Sequence, residues 1–506
     1  MIQLDGTSLT LAQLAAIADG RELVVLHPDA GVRVDRARAV VDRKARGSEP
    51  VYGINTGFGA LAETAVPADA LDQLQVNLLR SHAAGVGEPL PVRSVRAAMA
   101  LRINVLAKGF SGIRRQTLER LIELLNRRVH PCVPSRGSVG ASGDLAPLAH
   151  LALVLIGEGH AWVGDSPTLV SGREALRTAG VEAVHLEAKE GLALINGTQP
   201  SAAIAALVLE GSERLTRAAD IAVALSIDAL RGSVHPFDPR IHAARPHAGQ
   251  SVCAANLRWL LENSAINRSH EHCGRVQDAY SLRCAPQVHG AARDALSFVH
   301  ATLLIEANGA TDNPMVFADE AEIVSGGNFH GAPVAIAADL LTIALAQLAT
   351  ISERRSDRLV NPALSDLPAF LTPGSGLQSG YMMAQVTAAA LVSEIKTLAH
   401  PASVDTIPTS ANREDHVSMS MGAALKAEHA LALATRVLAV EILCACQAID
   451  LLAPLTTSPP LQTIHARVRS AVPVLAGDRP PAPDIEQISA MIVDGSLEAS
   501  CAGDVK

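Results

Sequence analysis

The sequence predicts a mainly α-helical protein in which a mixed helical and loop region precedes a bundle of long helices. Three observations lead there. Only 12 of 506 residues are aromatic, against 48% hydrophobic in total, so the core has to be Ala, Leu, Val and Ile. After Pro200 the chain runs in Ala/Leu-rich stretches with helical spacing: 201–230, 291–308, 333–358, 382–400 and 421–452. Several are well above the average helix length. Polar segments at 264–290, 309–332 and 401–420 interrupt them, which places chemistry in the crossings between helices.

The first 200 residues have another texture. Thr10 and Gln13 match a capping box before an apolar run. Residues 93–108 and 115–128 are amphipathic, the second stretch stopped by His130-Pro131. Turn-dense segments lie at 53–59, 85–91 and 134–143, and a helix is expected over 145–156 with Asp144 near its N-cap. Pro459-Pro460 and Pro480-Pro481 mark breaks before a short C-terminal appendix. The expected division is 1–200 and 201–506, the two forming one continuous catalytic unit. No fixed-period repeat occurs.

Composition excludes several classes of partner. The formal charge is −9, with few Lys/Arg clusters, so neither nucleic acid nor an anionic membrane is favoured electrostatically. Few aromatics means few platforms for stacking bases. The start lacks the basic-then-apolar layout of a signal peptide, and no stretch reads as the 18 or more apolar residues of a membrane span. Seven scattered cysteines, an odd number, read as reduced thiols in the cytoplasm.

Gly137-Ser-Val-Gly140-Ala141-Ser142-Gly143-Asp144 is the most informative stretch. One reading is a flexible loop before a helix. A phosphate-loop reading fails, because no Lys-Ser/Thr follows Gly143 and no β-run precedes the loop. A third reading is covalent. With no side chain to shield it, the Gly143 nitrogen can attack the Ala141 carbonyl carbon in a tight, strained turn. Loss of water there and from Ser142 then leaves a dehydroalanine within a five-membered ring.

Ala141-Ser142-Gly143 within GSVGASGDLAPLAH resembles the self-forming 4-methylidene-imidazol-5-one (MIO) group of the aromatic amino acid ammonia-lyases. Further segments resemble that family in order along most of the chain: VYGINTGFG (51–59), SHAAGVGEP (81–89), GLALINGTQ (191–199), VQDAYSLRCAPQ (276–287), TDNP (311–314), SGGNFHG (325–331) and PTSANREDHVSM (408–419). The resemblance implies an ammonia-lyase/fumarase-like helical fold, MIO as the cofactor, an amino-acid substrate and a homotetramer with shared active sites. Within the family, Glu414 followed by Asp415-His416 resembles the histidine branch. A carboxylate can accept from an imidazole N–H, whereas a phenyl ring offers it no partner. His82 resembles the histidine and tyrosine branches, and Phe329-His330 the histidine branch. Arg413, Gly331-Ala332-Pro333 and Tyr381 depart from the histidine pattern and bear on substrate range.

The resemblance further implies roles. Tyr52 is the candidate base for the β-proton, Glu414 an alternative, and Tyr280 handles protons at the amine and cofactor. Arg283 clamps the substrate carboxylate. Asn196 and Gln277 supply amide donors, and His82, Phe329, Met382 and Glu414 surround the ring. The expected reaction is non-oxidative deamination of L-histidine to trans-urocanate and ammonia. The rival keeps the group but acts on tyrosine or a related amino acid, as a lyase or a 2,3-aminomutase. No pyridoxal phosphate is expected, since Lys108, Lys189 and Lys396 sit in ordinary helical or loop contexts. No nucleotide is expected, and no metal: His270-Glu-His272 with Cys273, and Cys444-Ala-Cys446, lack zinc spacing. A non-enzymatic helical scaffold leaves the polar residues at the crossings unexplained.

Overall fold

The long helices form where the Ala/Leu runs lie, and prolines begin most of them. In the computed structural model they span Gln199–Ala229, Ala285–Ala307, Ala332–Val360, Met382–Leu398 and Ser420–Leu451. Pro200, Pro286 and Pro333 each occupy the second residue of a helix. Proline suits the first turn because the N–H it lacks has no intrahelical partner there. For the same reason Pro459-Pro460 opens the helix Pro459–Arg469, and Pro480-Pro481 precedes Ala482–Val493. The structure describes residues 1–506 except 48, 62, 272, 273, 275, 375 and 501–504, and leaves aside the side chain of residue 60.

Two compact units are interleaved along the chain. The first comprises Met1–Glu210, His300–Asp339 and Pro401–Leu425; the second comprises Gly211–Val299, Leu340–His400 and Lys426–Lys506.

In the first unit the helix Val92–Ala107 is buried at every position from Ser94 to Ala107, including Arg96 and Arg102. The capping box at Thr10 and Gln13 forms as expected. A cluster of Ala37, Val40, Val41, Ile54, Leu71, Ala188 and Val316 closes another part of this core. Small two- and three-stranded sheets were not expected. One of them changes the account of the loop: the strand Pro134–Arg136 runs directly into Gly137 and pairs antiparallel with Val86–Pro89. A short β-run therefore does precede the loop, too short to show as a period in sequence. The phosphate reading still lacks its Lys-Ser/Thr.

The second unit holds a buried ion pair. Arg355 meets Glu441 through Nε to Oε1 at 2.5 Å and Nη2 to Oε2 at 2.8 Å, and Ser226 Oγ donates to the same carboxylate at 2.7 Å. Both partners are fully buried, so neither charge can be removed without stranding the other.

The expectation of no long apolar stretch is corrected. Ala332–Val360 and Ser420–Leu451 are long and apolar enough to cross a membrane by length and composition. Their apolar windows are 67% and 89% buried inside the protein, which is the environment of core helices. Asp339 and Glu353 interrupt the first of them, so its uncharged run reads as only the residues between those two.

His130 lies in the strand Val129–Pro131 of the first unit, 2% exposed, with no partner for its Nδ1 among the described residues. Burial, then the positive charges of Arg96 and Arg128, push its imidazole down to about 4. A depressed histidine stabilises the fold fully above its unfolded value near 6.5, and that contribution drains away as pH falls through the folded value. We expect on the order of 3 kcal/mol to be lost between pH 6.5 and 4. Urea titrations across that range should be markedly flatter for His130→Gln; parallel curves for the two proteins would refute the assignment.

Candidate active site

The loop that ends on Asp144 is held by the residues around it. Ser142 adopts a left-handed backbone (φ +52°), rare for a residue with a β-carbon, and Gly143 follows at φ +77°. A β-carbon on Gly143 would lie 2.3 Å from the Gly197 carbonyl oxygen, and the Asp144 N–H donates to that same oxygen at 2.8 Å. Only glycine fits at 143. The Met419 N–H donates to the Val139 carbonyl at 2.9 Å, and a β-carbon on Gly140 would meet Ser418 Oγ at 2.1 Å. Three sequence segments, around 140, 197 and 419, thus converge on one turn.

Asp144 takes the N-cap position of the helix Leu145–Leu155, as expected, but its side chain makes no capping bond. It accepts instead from Ser138 Oγ at 2.8 Å and from the Ser201 N–H at 2.9 Å, which ties the loop to the helix Gln199–Ala229. Burial raises the Asp144 carboxyl above its usual range, against the hydrogen bonds from Ser201 and Ser138.

Glu414 faces Ser142. Its Oε1 accepts from Ser142 Oγ at 3.2 Å, while Oε2 accepts from Thr409 Oγ1 at 2.7 Å and Ser410 Oγ at 2.8 Å. Those two hydroxyls sit on a turn in which Ser410, Ala411 and Asn412 all have positive φ (49°, 53° and 65°). Three consecutive non-glycine residues in this region store strain, a cost met where geometry must be held. Thr409 and Ser410 lie in the PTSANREDHVSM segment but carry no role in the resemblance; a pair of hydroxyl residues shortly before the acidic residue is the signal in sequence that points to them.

Tyr52 and His82 feel the same carboxylate. Burial, and to a smaller extent the Glu414 charge, raise the Tyr52 phenol, while an interaction with the Gly59 backbone works the other way. The His82 imidazole is lowered by burial, partly offset by the Leu78 carbonyl and by Glu414. His82 Nδ1 lies 2.9 Å from Leu78 O, and since a carbonyl only accepts, Nδ1 carries the proton and Nε2 is the acceptor.

Asn196 is 3% exposed, and its side-chain oxygen has no partner among the described residues. It directly precedes Gly197 beside the loop. Phe329 is half-buried, and its segment reaches the same place, because a β-carbon on Gly331 would lie 2.6 Å from Ser420 Oγ. His330 stacks on His416 with ring centroids 5.9 Å apart. Tyr52, His82, Ala141, Ser142, Gly143, Asn196, Phe329 and Glu414 therefore all belong to the first unit.

Gln277, Tyr280, Arg283 and Met382 belong to the second. Gln277 and Arg283 line a cavity of about 680 Å³ together with Arg231, His235 and Asn267. Tyr280 is 71% exposed, and the Arg283 guanidinium lies 4.7 Å from its ring centroid, a cation–π contact. Met382 is half-buried at the start of its helix. Tyr381 is buried, its hydroxyl unpartnered among the described residues, and burial pushes its phenol well above the ordinary range.

Other candidates fall out differently. Lys108 donates to Gly6 O and Asn308 O, and Lys396 is exposed, but Lys189 is no ordinary loop lysine. It is fully buried at φ +68°, with Nζ 3.8 Å from Asp312 Oδ2. His272 and Cys273 lie outside the described residues. Cys444 and Cys446 are buried in one helix, and burial pushes both thiols up, the second to about 12. Such thiols keep their protons and make poor metal ligands. Asp220, Cys253 and His289 cluster in the second unit, but Arg293 and Asn256 also donate to Asp220, at 2.7 and 2.8 Å, and already compensate its charge.

The left-handed Ser142, the absence of room for a side chain at Gly143 and a carboxylate on the serine hydroxyl make this turn the centre of the candidate site. The sequence model of the aromatic amino acid lyases matches residues 9–470, and the chain belongs to that family. It is 56% identical over 502 residues to a histidine ammonia-lyase from Anaeromyxobacter dehalogenans, covering 98% of this chain and 99% of the relative. Among solved structures it is similar to histidine ammonia-lyase from Trypanosoma cruzi, with TM-score 0.92, 45% identity, and 99% and 94% of the two chains covered. It is also similar to a tyrosine aminomutase from Streptomyces globisporus, with TM-score 0.94, 39% identity, and 99% and 98% covered.

Proposed function

We propose that this protein removes ammonia from L-histidine without oxidation, giving trans-urocanate, and that Ala141-Ser142-Gly143 closes into MIO. The observation that carries the reading is Glu414, a carboxylate held by Thr409 and Ser410 against Ser142 and close enough to act on Tyr52 and His82. An imidazole ring brings an N–H to such a carboxylate and a ring nitrogen to a neighbouring partner; a phenyl ring leaves the carboxylate unpaired.

The turn fits the group. Its left-handed Ser142, the absence of room for a side chain at Gly143 and the unpartnered Asn196 oxygen beside it suit a closed ring with a carbonyl to be held. When formed, MIO supplies an electrophilic carbon that turns a poor leaving group into a better one.

The chain's own residues supply the rest. Glu414 accepts the substrate's ring N–H and orients it. Tyr52 takes the β-proton; its raised phenol is a strong base once ionised and is scarcely ionised at neutral pH. His82 faces the ring as a neutral imidazole. Arg283 binds the substrate carboxylate as a planar fork, Gln277 adds an amide donor, and Tyr280 handles the amine proton. Phe329 and Met382 bound the ring.

We further propose a homotetramer with shared active sites, in which residues 1–200 and 201–506 work as one catalytic unit. What supports it is the exposure of Tyr280 at 71% and Val276 at 95%, on a segment whose roles require enclosure. The free cysteines suit a reducing compartment, and we assign the protein to the cytoplasm.

A panel of L-histidine, L-tyrosine and L-phenylalanine, with products identified by NMR, tests the reading. Urocanate from histidine at a rate far above the other two is expected. A β-amino acid product, or preference for tyrosine, would replace this reading with the aminomutase or the tyrosine lyase.

A further inference from the structure

We infer that Arg102 is a positioning residue for ring closure, holding the Asn196-Gly197 strand against Gly143 so that the Gly143 nitrogen is driven onto the Ala141 carbonyl carbon. The inference rests on the reading that this turn closes at all.

Arg102 sits in the middle of the buried helix Val92–Ala107 with no exposed surface. Its nearest carboxylate, Asp312, is 4.0 Å away and is shared with Lys189 at 3.8 Å, so it is not held by a close ion pair. Its hydrogen bonds go to uncharged acceptors. Nη1 donates to the Asn196 carbonyl at 2.6 Å and to Gln199 Oε1 at 2.7 Å, and Nη2 donates to the Ala193 carbonyl at 2.6 Å. Asn196 ends the helix Glu190–Ile195, where carbonyls lack intrahelical donors, so the guanidinium takes the place of the next helical turn. Burial brings the guanidinium down to about 10, still charged at neutral pH.

The next residue connects this grip to the loop. Gly197 has φ +147°, and a β-carbon there would lie 2.7 Å from Arg102 Nη1, 2.5 Å from Gln199 Oε1 and 2.6 Å from Thr311 O. Glycine lets the strand lie flat on the guanidinium. The Gly197 carbonyl lies against Gly143, with which Gly197 forms a parallel bridge, and accepts from the Asp144 N–H. The order of contact is therefore Arg102, Asn196-Gly197, then Gly143. Burying a cation is costly, and an apolar side chain of similar volume packs a helix interior at least as well. Here the charge does what packing cannot: it fixes two main-chain carbonyls on either side of one turn.

Closure needs that placement. The Gly143 nitrogen forms a bond to the Ala141 carbonyl carbon. The former carbonyl oxygen leaves as water with the hydrogens of Gly143 N and Ser142 N, forming C=N. Ser142 then loses its Cα hydrogen and its hydroxyl as a second water, forming the exocyclic methylidene. No oxidant or co-reactant is required. Displacing reacting atoms by about 1 Å costs on the order of a hundredfold in rate.

Mass spectrometry of the peptide carrying Ala141-Ser142-Gly143 reads the outcome without an activity assay. The unaltered protein should give a peptide lighter by two waters; a full-mass peptide would sink the closure reading itself. Folded Arg102→Met, checked by circular dichroism and thermal melting, should close its turn roughly a hundredfold more slowly and yield mostly full-mass peptide. Arg102→Lys, whose ammonium offers three donors to the same acceptors, should recover closure to within about tenfold of the unaltered protein. Closure at the unaltered rate in folded Arg102→Met overturns the proposal, as does failure of Arg102→Lys to restore it. Should Arg102→Met not fold, Gly197→Ala probes the same junction: a full-mass peptide is expected, and normal closure overturns the proposal.

Discussion

Ser142→Ala is expected to abolish turnover of L-histidine, by roughly a thousandfold or more, while leaving a folded protein. Without Oγ there is no hydroxyl to eliminate, so no methylidene can form whatever the shape of the turn. The extra ultraviolet absorbance of the conjugated ring should vanish, and the loop peptide should retain at least the water that Ser142 would have lost. Stability should change little. Ser142 contributes one half-buried hydrogen bond to Glu414, on the order of 1 kcal/mol, and alanine at φ +52° is no more strained than serine. Steady-state assay with mass and absorbance measurements on one preparation checks all three points. Undiminished turnover would remove Ser142 from the chemistry.

Glu414→Gln separates the ring partner from the cofactor. The turn should still close, because the backbone that lies against Gly143 is that of Gly197, which also accepts from the Asp144 N–H, and not Glu414. Histidine turnover should fall on the order of a hundredfold or more, since the amide keeps the shape but loses the charge that accepts the ring N–H. A second signature follows from Tyr52. Glu414's negative charge helps to raise the Tyr52 phenol, so its removal lets the phenol ionise at lower pH. If Tyr52 takes the β-proton, activity rises with pH as the phenol ionises, and in Glu414→Gln that rise should move to lower pH. A profile that loses the rise altogether would identify Glu414, not Tyr52, as the base. Equal activity in the variant would take Glu414 out of the site.

The helices were legible because long runs dominated by Ala and Leu, with apolar residues at helical spacing and no internal proline past the first turn, favour the helix over other ways of burying themselves. The helices expected over 382–400 and 421–452 form over Met382–Leu398 and Ser420–Leu451. Their starts were less legible: Pro200, Pro286 and Pro333 lie inside helices, since a first-turn proline costs nothing. Three-residue strands such as Pro134–Arg136 carry too few residues to show a period of two, and their pairing is set by residues far away in sequence.

What the sequence determined by itself is the set of groups available: an Ala-Ser-Gly segment preceded by glycines at 137 and 140, a carboxylate at 414, phenols at 52 and 280, and a guanidinium at 283. Those follow from residue identity and local backbone freedom. Tertiary structure decided which of these groups act on one another. Glu414 lies 272 positions from Ser142 and accepts from its hydroxyl. Asp144 leaves its cap to bind Ser138 and Ser201, and Arg102, silent in every motif, grips the strand that bears on Gly143. Contacts of this kind depend on distances between distant segments, and burial makes each one matter: an unpaired carboxyl or guanidinium away from water is too costly to leave unheld, so the fold gives each its partner.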